Sequence, residues 1–326
     1  MGGTPTIAVA TSYLRGTNSS APAAVSASCG MVKWCFSLSQ LVQLPYLGGR
    51  VEGVLITNDV AYALTICRTR PLPRMITYSD ELANAVRQWS ATLRGCNQSR
   101  STGPSLIGLA SLAKWQLLAH TEYRAILVTD LDIDLFLSSR GRPPTPSEDV
   151  WPGQTMALRH ALTTLFDLFI ESNTTLIASP DFHSPINTGV MLLKPSRDVY
   201  ELGLRTLSTG TFDSDGGFNN VGRPHSAIRW DRMHANKVMW LNGSVMSKSN
   251  RWTFVSATGD QGLFVYIYLA LQQGEYFEPT NHRAVWLSRY LDAEHRKNRT
   301  WWSQISSRYH RRFFPGWRVN HCACPE

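Results

Sequence analysis

The sequence predicts an α/β fold built on a mainly parallel β-sheet, and three observations support this class. Short apolar runs alternate with longer segments whose apolar residues recur at helical spacing. The run from Ala125 to Val128 consists only of small or branched apolar residues, as in a parallel strand that is buried on both faces. The composition is globular, since 43% of residues are hydrophobic and 17% are charged. We expect one α/β domain over residues 1–275, with a basic, tryptophan-rich C-terminal extension over residues 276–326 packing on it.

The N-terminal part of the chain, up to residue 136, alternates between strand and helix. Each predicted strand is a short apolar run, and each predicted helix has an apolar face. Ser79 or Asp80 can cap the helix that follows the third strand. The predicted order is strand 6–11, helix 26–44, strand 51–57, strand 74–77, a helix reaching residue 93, a helix opening at Lys114, and strand 125–128.

The rest of the chain is predicted to be less regular. A proline-rich loop precedes a helical pattern, and a polar turn, Asn187-Thr188-Gly189, leads into a buried strand. Residues 210–227 are rich in glycine and asparagine and lack periodicity, which predicts a long functional loop. The remaining predicted elements are loop 139–153, helix 156–170, strand 175–178, helix 198–207 and helix 263–271.

The charge and the cysteines do not determine the cellular compartment of the protein. The net charge is +8, but basic residues concentrate only in 283–318 and no nucleic-acid-binding motif accompanies them, so we expect no nucleic acid partner. The six cysteines lack zinc-ligand spacing and favour free thiols in a reducing compartment. No secretory signal or membrane span is visible. The cytoplasm is the default, and the Golgi lumen is an option because five sequons are present, at Asn18, Asn97, Asn173, Asn242 and Asn298.

Three carboxylates follow the strand 125–128 at alternating positions: Asp130, Asp132 and Asp134. The C-terminal end of a buried parallel strand is where open α/β folds bind their ligands. Neighbouring carboxylates are costly to bury unless a cation or hydrogen-bond donors offset their charge. A divalent metal ion is therefore the simplest partner for this group.

Four interpretations of these carboxylates differ in chemistry. A calcium-binding EF-hand does not fit, because Leu135 and Gly141 occupy the positions that require Gly and Glu. A nucleophile and acid pair of the haloacid-dehalogenase kind is expected near the start of its domain, and this group lies far into the chain. The carboxylates could also be solvated and cap nearby amides. The fourth interpretation is that Asp130 and Asp132 hold Mn²⁺ or Mg²⁺ against the diphosphate of a nucleotide sugar.

Further motifs accompany Asp130-Leu131-Asp132. Lys114 opens an apolar helix before it, Ser179-Pro180-Asp181 followed by the segment Pro185 to Met191 comes after it, and Asp260-Gln261-Gly262 follows later. These four blocks, in this order, resemble glycosyltransferase family 8 and its glycogenin-like enzymes. The resemblance spans roughly residues 6–272.

The resemblance implies a single domain of the nucleotide-diphospho-sugar transferase (GT-A-like) fold. It implies that the enzyme moves a hexose from a UDP-sugar to an acceptor hydroxyl of a glycan or protein, with retention and with Mn²⁺ or Mg²⁺. The family also has a C-terminal motif that contains a histidine and a lysine. This sequence matches that motif only in part, so we assign no third metal ligand. A catalytically silent protein of the same fold, binding a nucleotide sugar or a glycan, is the alternative.

The resemblance also implies site residues. The catalytic candidates are Asp181, Asp260 and Gln261, and the metal ligands are Asp130 and Asp132. The other substrate-binding candidates are Lys114, Leu131, Asn187, Thr188 and Gly189, with Thr11, Ser12 and Tyr13 on the nucleobase side. Three ordinary alternatives stay open: Lys114 as a solvated helix residue, Asn187-Thr188-Gly189 as a plain turn, and Asp260-Gln261 as a helix cap.

Overall fold

The structure is a computed structural model. It divides into two compact units, each built from segments that are distant in sequence. Unit 1 takes its described residues from Met1–Thr77 and Glu122–Asn173, and unit 2 from Tyr78–Thr121 and Thr174–Trp286. The described residues are 6–14, 21–42, 50–68, 70–95, 111–131, 166–172, 174–178, 186, 188–214, 216–221, 252, 256–271 and 284–286.

Unit 1 contains four parallel strands in the order β3-β2-β1-β4. The residues of β1, β2 and β4 are buried almost without interruption, as expected for parallel strands covered on both faces. The sequence predicted each of these strands. Strand β1 begins one residue later and ends two residues later than expected, and β4 extends one residue further. The strands are β1 Ile7–Tyr13, β2 Val51–Thr57, β3 Arg74–Thr77 and β4 Ala125–Thr129.

Two helices of unit 1 flank these strands, and a disulfide joins them. Helix α1, Ala21–Val42, begins five residues before the predicted helix and ends two residues before that helix does, whereas α2, Val60–Ile66, was not predicted. The disulfide links Cys35 of α1 to Cys67, the residue that ends α2. The expectation of free thiols is therefore wrong for this pair. The two cysteines are 32 residues apart, and only the packing of α1 beside α2 brings them together.

Unit 2 combines a small sheet with helices of three kinds. Strand β5, Leu176–Ala178, pairs antiparallel with β6, Val190–Leu193, and parallel with β9, Ala284–Trp286. The helices are α3 Asp80–Gly95, a 3-10 helix Ser111–Ala119, α4 Arg197–Thr209, α5 Asp260–Phe264 and a π-helix Val265–Leu271.

The predicted α/β class, with a mainly parallel, mixed sheet flanked by helices, is confirmed by these pairings. The predicted cap of α3 is Ser79, whose hydroxyl oxygen accepts a hydrogen bond from the Leu82 amide at 3.2 Å. The described helices include none with both the length and the hydropathy needed to cross a bilayer. Strand β9 falls inside the predicted C-terminal extension, and the rest of that extension lies outside the described residues.

Three predicted elements differ in the structure. The segment that carries Lys114 is a 3-10 helix that starts at Ser111. The predicted loop over 210–227 contains a hairpin of two short strands, β7 Phe212–Asp213 and β8 Gly217–Phe218. Phe218 stacks on Trp89, with ring centroids 4.9 Å apart. Tertiary packing therefore stabilises this hairpin, which explains why its sequence shows no strand periodicity. The predicted helix over 263–271 is mostly π-helical.

Candidate active site

The carboxyl ends of β1 and β4 meet at one edge of the unit 1 strands. The two strands are parallel neighbours, and Ala10 and Val128 are the last residues in register. Ser12 and Asp130 each follow two residues after this pair. The structure therefore brings a predicted nucleobase residue and a predicted metal ligand to the same edge.

Polar and aromatic side chains lie at this edge. Thr11 is fully buried, and among the described residues its hydroxyl oxygen has no hydrogen-bond partner. Tyr13 is buried and stacks with Tyr62 of α2, with ring centroids 6.1 Å apart and planes 20° apart. Tyr62 was missed by the sequence reasoning, because its helix gives no signal that it returns to the end of β1.

The metal-binding motif is only partly described. Asp130 and Leu131 are half-buried at the end of β4, while Asp132 lies outside the described residues. Within the described ranges, no group of three or more His, Cys, Asp or Glu side chains could hold a metal ion. Carboxylate oxygens are the hard ligands that Mn²⁺ and Mg²⁺ prefer. The donor type and the strand-end position of Asp130 therefore fit such a cation.

Three predicted site residues form one buried cluster in unit 2. The Lys114 ammonium donates to the Thr188 carbonyl oxygen at 3.1 Å and lies 3.4 Å from Asp260 Oδ2. The Thr188 hydroxyl donates to the same carboxylate oxygen at 2.5 Å. The exposed fractions are 4% for Lys114, 2% for Thr188 and 3% for Asp260. Three sequence motifs that are far apart along the chain thus converge at one point.

Two further hydroxyls complete the surroundings of the Asp260 carboxylate. The Ser256 hydroxyl donates to Oδ1 at 2.8 Å, and the Ser111 hydroxyl is a further hydrogen-bond donor. Burial raises the pKa of Asp260, but the Lys114 charge and the hydroxyls of Thr188, Ser111 and Ser256 lower it by more, so the net pKa falls below its usual value. Asp260 is therefore ionised at neutral pH. Neither serine stands in a motif, so sequence reasoning missed both.

The ordinary alternatives for two of these residues are wrong. Lys114 is not solvated, because it is buried in an ion pair. Asp260 is not the helix cap, because the N-cap position of α5 is occupied by Gly259, which has no side chain. Thr188 lies in a turn, but its hydroxyl and carbonyl both bind members of the cluster.

The segment that carries Lys114 is pinned by its neighbour Trp115. The indole N–H of Trp115 donates to the Tyr200 carbonyl of α4 at 3.1 Å. Its ring meets Phe264 of α5 edge-on, with centroids 4.8 Å apart. Gly203 of α4 leaves room for the indole, because a Cβ there would lie 2.0 Å from the indole nitrogen. The 3-10 helix is thereby held against the two helices that flank it.

The Asp260-Gln261-Gly262 motif also contains an unpaired polar atom. Gln261 is 9% exposed, and its side-chain oxygen has no hydrogen-bond partner within the part of the chain that is described. Gly262 is required sterically, since a Cβ there would lie 1.6 Å from the Ala257 carbonyl oxygen.

The remaining predicted residues are distributed unevenly. Gly189 is buried next to Thr188 and directly precedes β6. Asp181 and Asn187 lie outside the described residues, as does Asp132. Their roles remain predictions.

Comparisons with known proteins give structural matches but no sequence match. No protein-family model matches the chain, and no curated protein matches it. The apo crystal structure of mouse xyloside xylosyltransferase 1 matches over 83% of each chain, with 12% sequence identity and a TM-score of 0.36. At this identity and TM-score the match carries no argument about this chain.

Proposed function

We propose that the protein is a metal-dependent glycosyltransferase that moves a sugar from a UDP-sugar to an acceptor hydroxyl with retained configuration. The convergence of Lys114, Thr188 and Asp260 in one buried cluster supports this proposal most directly. A buried ion pair is costly unless its hydrogen bonds are satisfied. A protein that keeps such a pair at this cost is expected to use it, and fixing charged groups in an active site is one such use. The acceptor is a glycan or a protein, as the resemblance implies.

Asp260 acts in this proposal as a positioning residue. A carboxylate has about four acceptor positions, and here it faces one ammonium and three hydroxyl groups. It is ionised, so it has no proton to give, and its oxygens are already engaged. We therefore assign it the task of holding Lys114 and Thr188 in place and fixing the start of the helix that carries Gln261.

Gln261 is the residue of this motif that can bind substrate. A buried acceptor without a partner costs about 1–3 kcal/mol, and the Gln261 side-chain oxygen is in that position among the described residues. A hydroxyl group of the donor sugar would supply the missing hydrogen bond. Asp181, Asn187 and Gly189 complete the sugar site by resemblance.

The cation would be held by Asp130 and Asp132. When bound, Mn²⁺ or Mg²⁺ stabilises the negative charge that develops on the leaving diphosphate. The nucleobase side belongs to Thr11, Ser12 and Tyr13. There the stacked Tyr13 and Tyr62 rings offer an aromatic surface, and the Thr11 hydroxyl oxygen can accept a hydrogen bond.

The identity of the donated sugar is the finest part of the proposal. The resemblance implies a hexose, whereas the matched structure is named for xylosyl transfer, and xylose is a pentose. No described residue distinguishes the two. Both donor classes therefore belong in the first screen.

Release of UDP from UDP-sugars tests the proposal. We expect the wild-type protein to release UDP from at least one UDP-hexose or from UDP-xylose with Mn²⁺, and to stop when EDTA removes the metal. Asp132→Ala should abolish release without lowering the melting temperature. The matched control is Asp134→Ala, which removes a neighbouring carboxylate that is not in the motif. Unimpaired release by Asp132→Ala would refute the metal-dependent mechanism, and UDP binding without any release would favour the catalytically silent alternative.

A further inference from the structure

We propose that helix α1 positions the metal-binding turn, with Trp34 and Gly30 as the positioning residues. This inference rests on the proposed function, because it concerns the site of the cation held by Asp130 and Asp132. Neither residue belongs to a motif of the resemblance. Both lie in unit 1, on the same face of α1 and one helical turn apart.

Trp34 fixes the residue before the metal ligand. Its side chain is fully buried, and its indole N–H donates to the Thr129 hydroxyl at 2.9 Å. Thr129 is the last residue of β4, and Asp130 follows it directly. The hydrogen bond spans 95 residues of sequence, so it ties the end of β4 to a distant helix.

Gly30 fixes the residue after that ligand. A Cβ at Gly30 would lie 3.3 Å from both the Cβ and the carbonyl oxygen of Leu131, closer than an ordinary van der Waals contact. Because Gly30 has no side chain, the backbone of α1 approaches Leu131, which follows Asp130 in the motif. Helix α1 thus contacts the chain on both sides of Asp130.

The helix that provides these contacts is itself anchored at two other points. Leu38 packs against Gly53 of β2, where a Cβ would lie 2.1 Å from the Leu38 side chain. Cys35, next to Trp34, forms the disulfide with Cys67. A helix held to β2 and α2 in this way is a firm support for metal ligands. Residues that orient ligands from outside the coordination sphere commonly set metal affinity.

Binding of Mn²⁺, measured by the electron paramagnetic resonance signal of the free ion, tests this role without using turnover. Trp34→Phe keeps an aromatic ring and removes the indole donor, and Thr129→Val removes the acceptor. We expect each to weaken Mn²⁺ binding roughly two- to tenfold, as expected for one hydrogen bond, and to be non-additive when combined. Thr129→Ser keeps the hydroxyl and should bind Mn²⁺ as the wild type does.

Gly30→Ala separates positioning from general stability. Alanine favours the helix over glycine, which offsets the cost of displacing Leu131, so the melting temperature should change little. The added methyl group displaces Leu131 and should weaken Mn²⁺ binding. The matched control is Val32→Ala, which also favours helix formation but lies on the exposed face of α1.

Three outcomes distinguish the inference from the function on which it rests. Weakened Mn²⁺ binding by Trp34→Phe and Gly30→Ala, with Val32→Ala unchanged, supports it. Wild-type Mn²⁺ binding by both variants, with binding lost in Asp132→Ala, overturns the inference and leaves the metal site standing. Absence of Mn²⁺ binding by the wild-type protein overturns both the metal site and the role of α1.

Discussion

Two regions of the molecule carry carboxylates of the predicted site, and they differ in the source of the counter-ion. Asp260 in unit 2 is 3% exposed, and the chain provides its cation, Lys114. Asp130 in unit 1 lies half-buried where β4 ends, and the cation that the resemblance implies for it comes from solution. A carboxylate whose counter-ion is a lysine of the same chain stays paired in all solutions near neutral pH. For a carboxylate whose counter-ion is a metal, the fraction that is paired depends on the concentration of that metal.

This contrast indicates a division of labour. The unit 2 cluster is built at folding and should contribute mainly to stability and to the placement of Gln261. The unit 1 edge should contribute mainly to donor binding. Substitutions in the two regions should therefore affect different measurements.

Removal of Lys114 should have the largest effect on stability. Lys114→Met leaves the ionised Asp260 carboxylate buried without its cation, which should cost roughly 3–5 kcal/mol of the free energy of unfolding. Addition of Asp260→Asn removes the uncompensated charge and should recover a large part of that loss. Urea denaturation measures both. A loss below about 1 kcal/mol in Lys114→Met would show that the buried pair does not form.

The disulfide should contribute the next largest effect. A crosslink that closes a loop of 32 residues stabilises by roughly 3–4 kcal/mol in the chain-entropy account, so Cys35→Ala/Cys67→Ala should lower the urea midpoint accordingly. Reduction by dithiothreitol should destabilise the wild type more than this variant. Peptide mapping without reduction should recover the peptides of Cys35 and Cys67 joined. Recovery of both as free thiols from protein folded under oxidising conditions would contradict the pairing.

Gln261 should separate activity from stability. Gln261→Leu removes a buried oxygen that has no hydrogen-bond partner among the described residues, so the melting temperature should stay or rise. The proposed contact with the donor sugar is lost, and kcat should fall about 100-fold, as for removal of one group that stabilises a transition state. Steady-state kinetics beside thermal denaturation measures both. An unchanged kcat would remove Gln261 from the site.

Much of this architecture could be predicted from sequence, because burial of parallel strands leaves a direct signal. The apolar runs of β1, β2 and β4 identified their strands, and the motifs around Lys114, Thr188 and Asp260 identified three members of the cluster. What failed depends on contacts between distant segments. The hairpin at 212–218 is held by aromatic packing on Trp89, and the partners Ser111 and Ser256 are ordinary serines until the fold brings them to Asp260.

The kinds of helix could not be predicted for a related reason. The 3-10 helix Ser111–Ala119 and the π-helix Val265–Leu271 carry apolar side chains at spacings that also suit an α-helix. The difference lies in the backbone hydrogen bonding of each helix. Sequence spacing is not sensitive to it.

Acid should produce the smallest and most specific effect. The pKa of folded Asp260 lies below its ordinary value of 3.8, so its ion pair and hydrogen bonds contribute stability that is fully present above that pH. This contribution is lost as pH falls through the folded pKa. The stability difference between wild type and Asp260→Asn should therefore be constant above about pH 5 and shrink in stronger acid. A difference that instead grows as pH falls would contradict the direction of the shift.

The change in melting temperature on adding Mn²⁺ with UDP tests the division between the two regions most directly. The wild-type protein should be stabilised by the pair of ligands, because ligands that bind only the native state raise its stability. Asp130→Asn should lose this gain, and Asp260→Asn should start from a lower melting temperature and keep the gain. Retention of the gain in Asp130→Asn combined with its loss in Asp260→Asn would contradict the account.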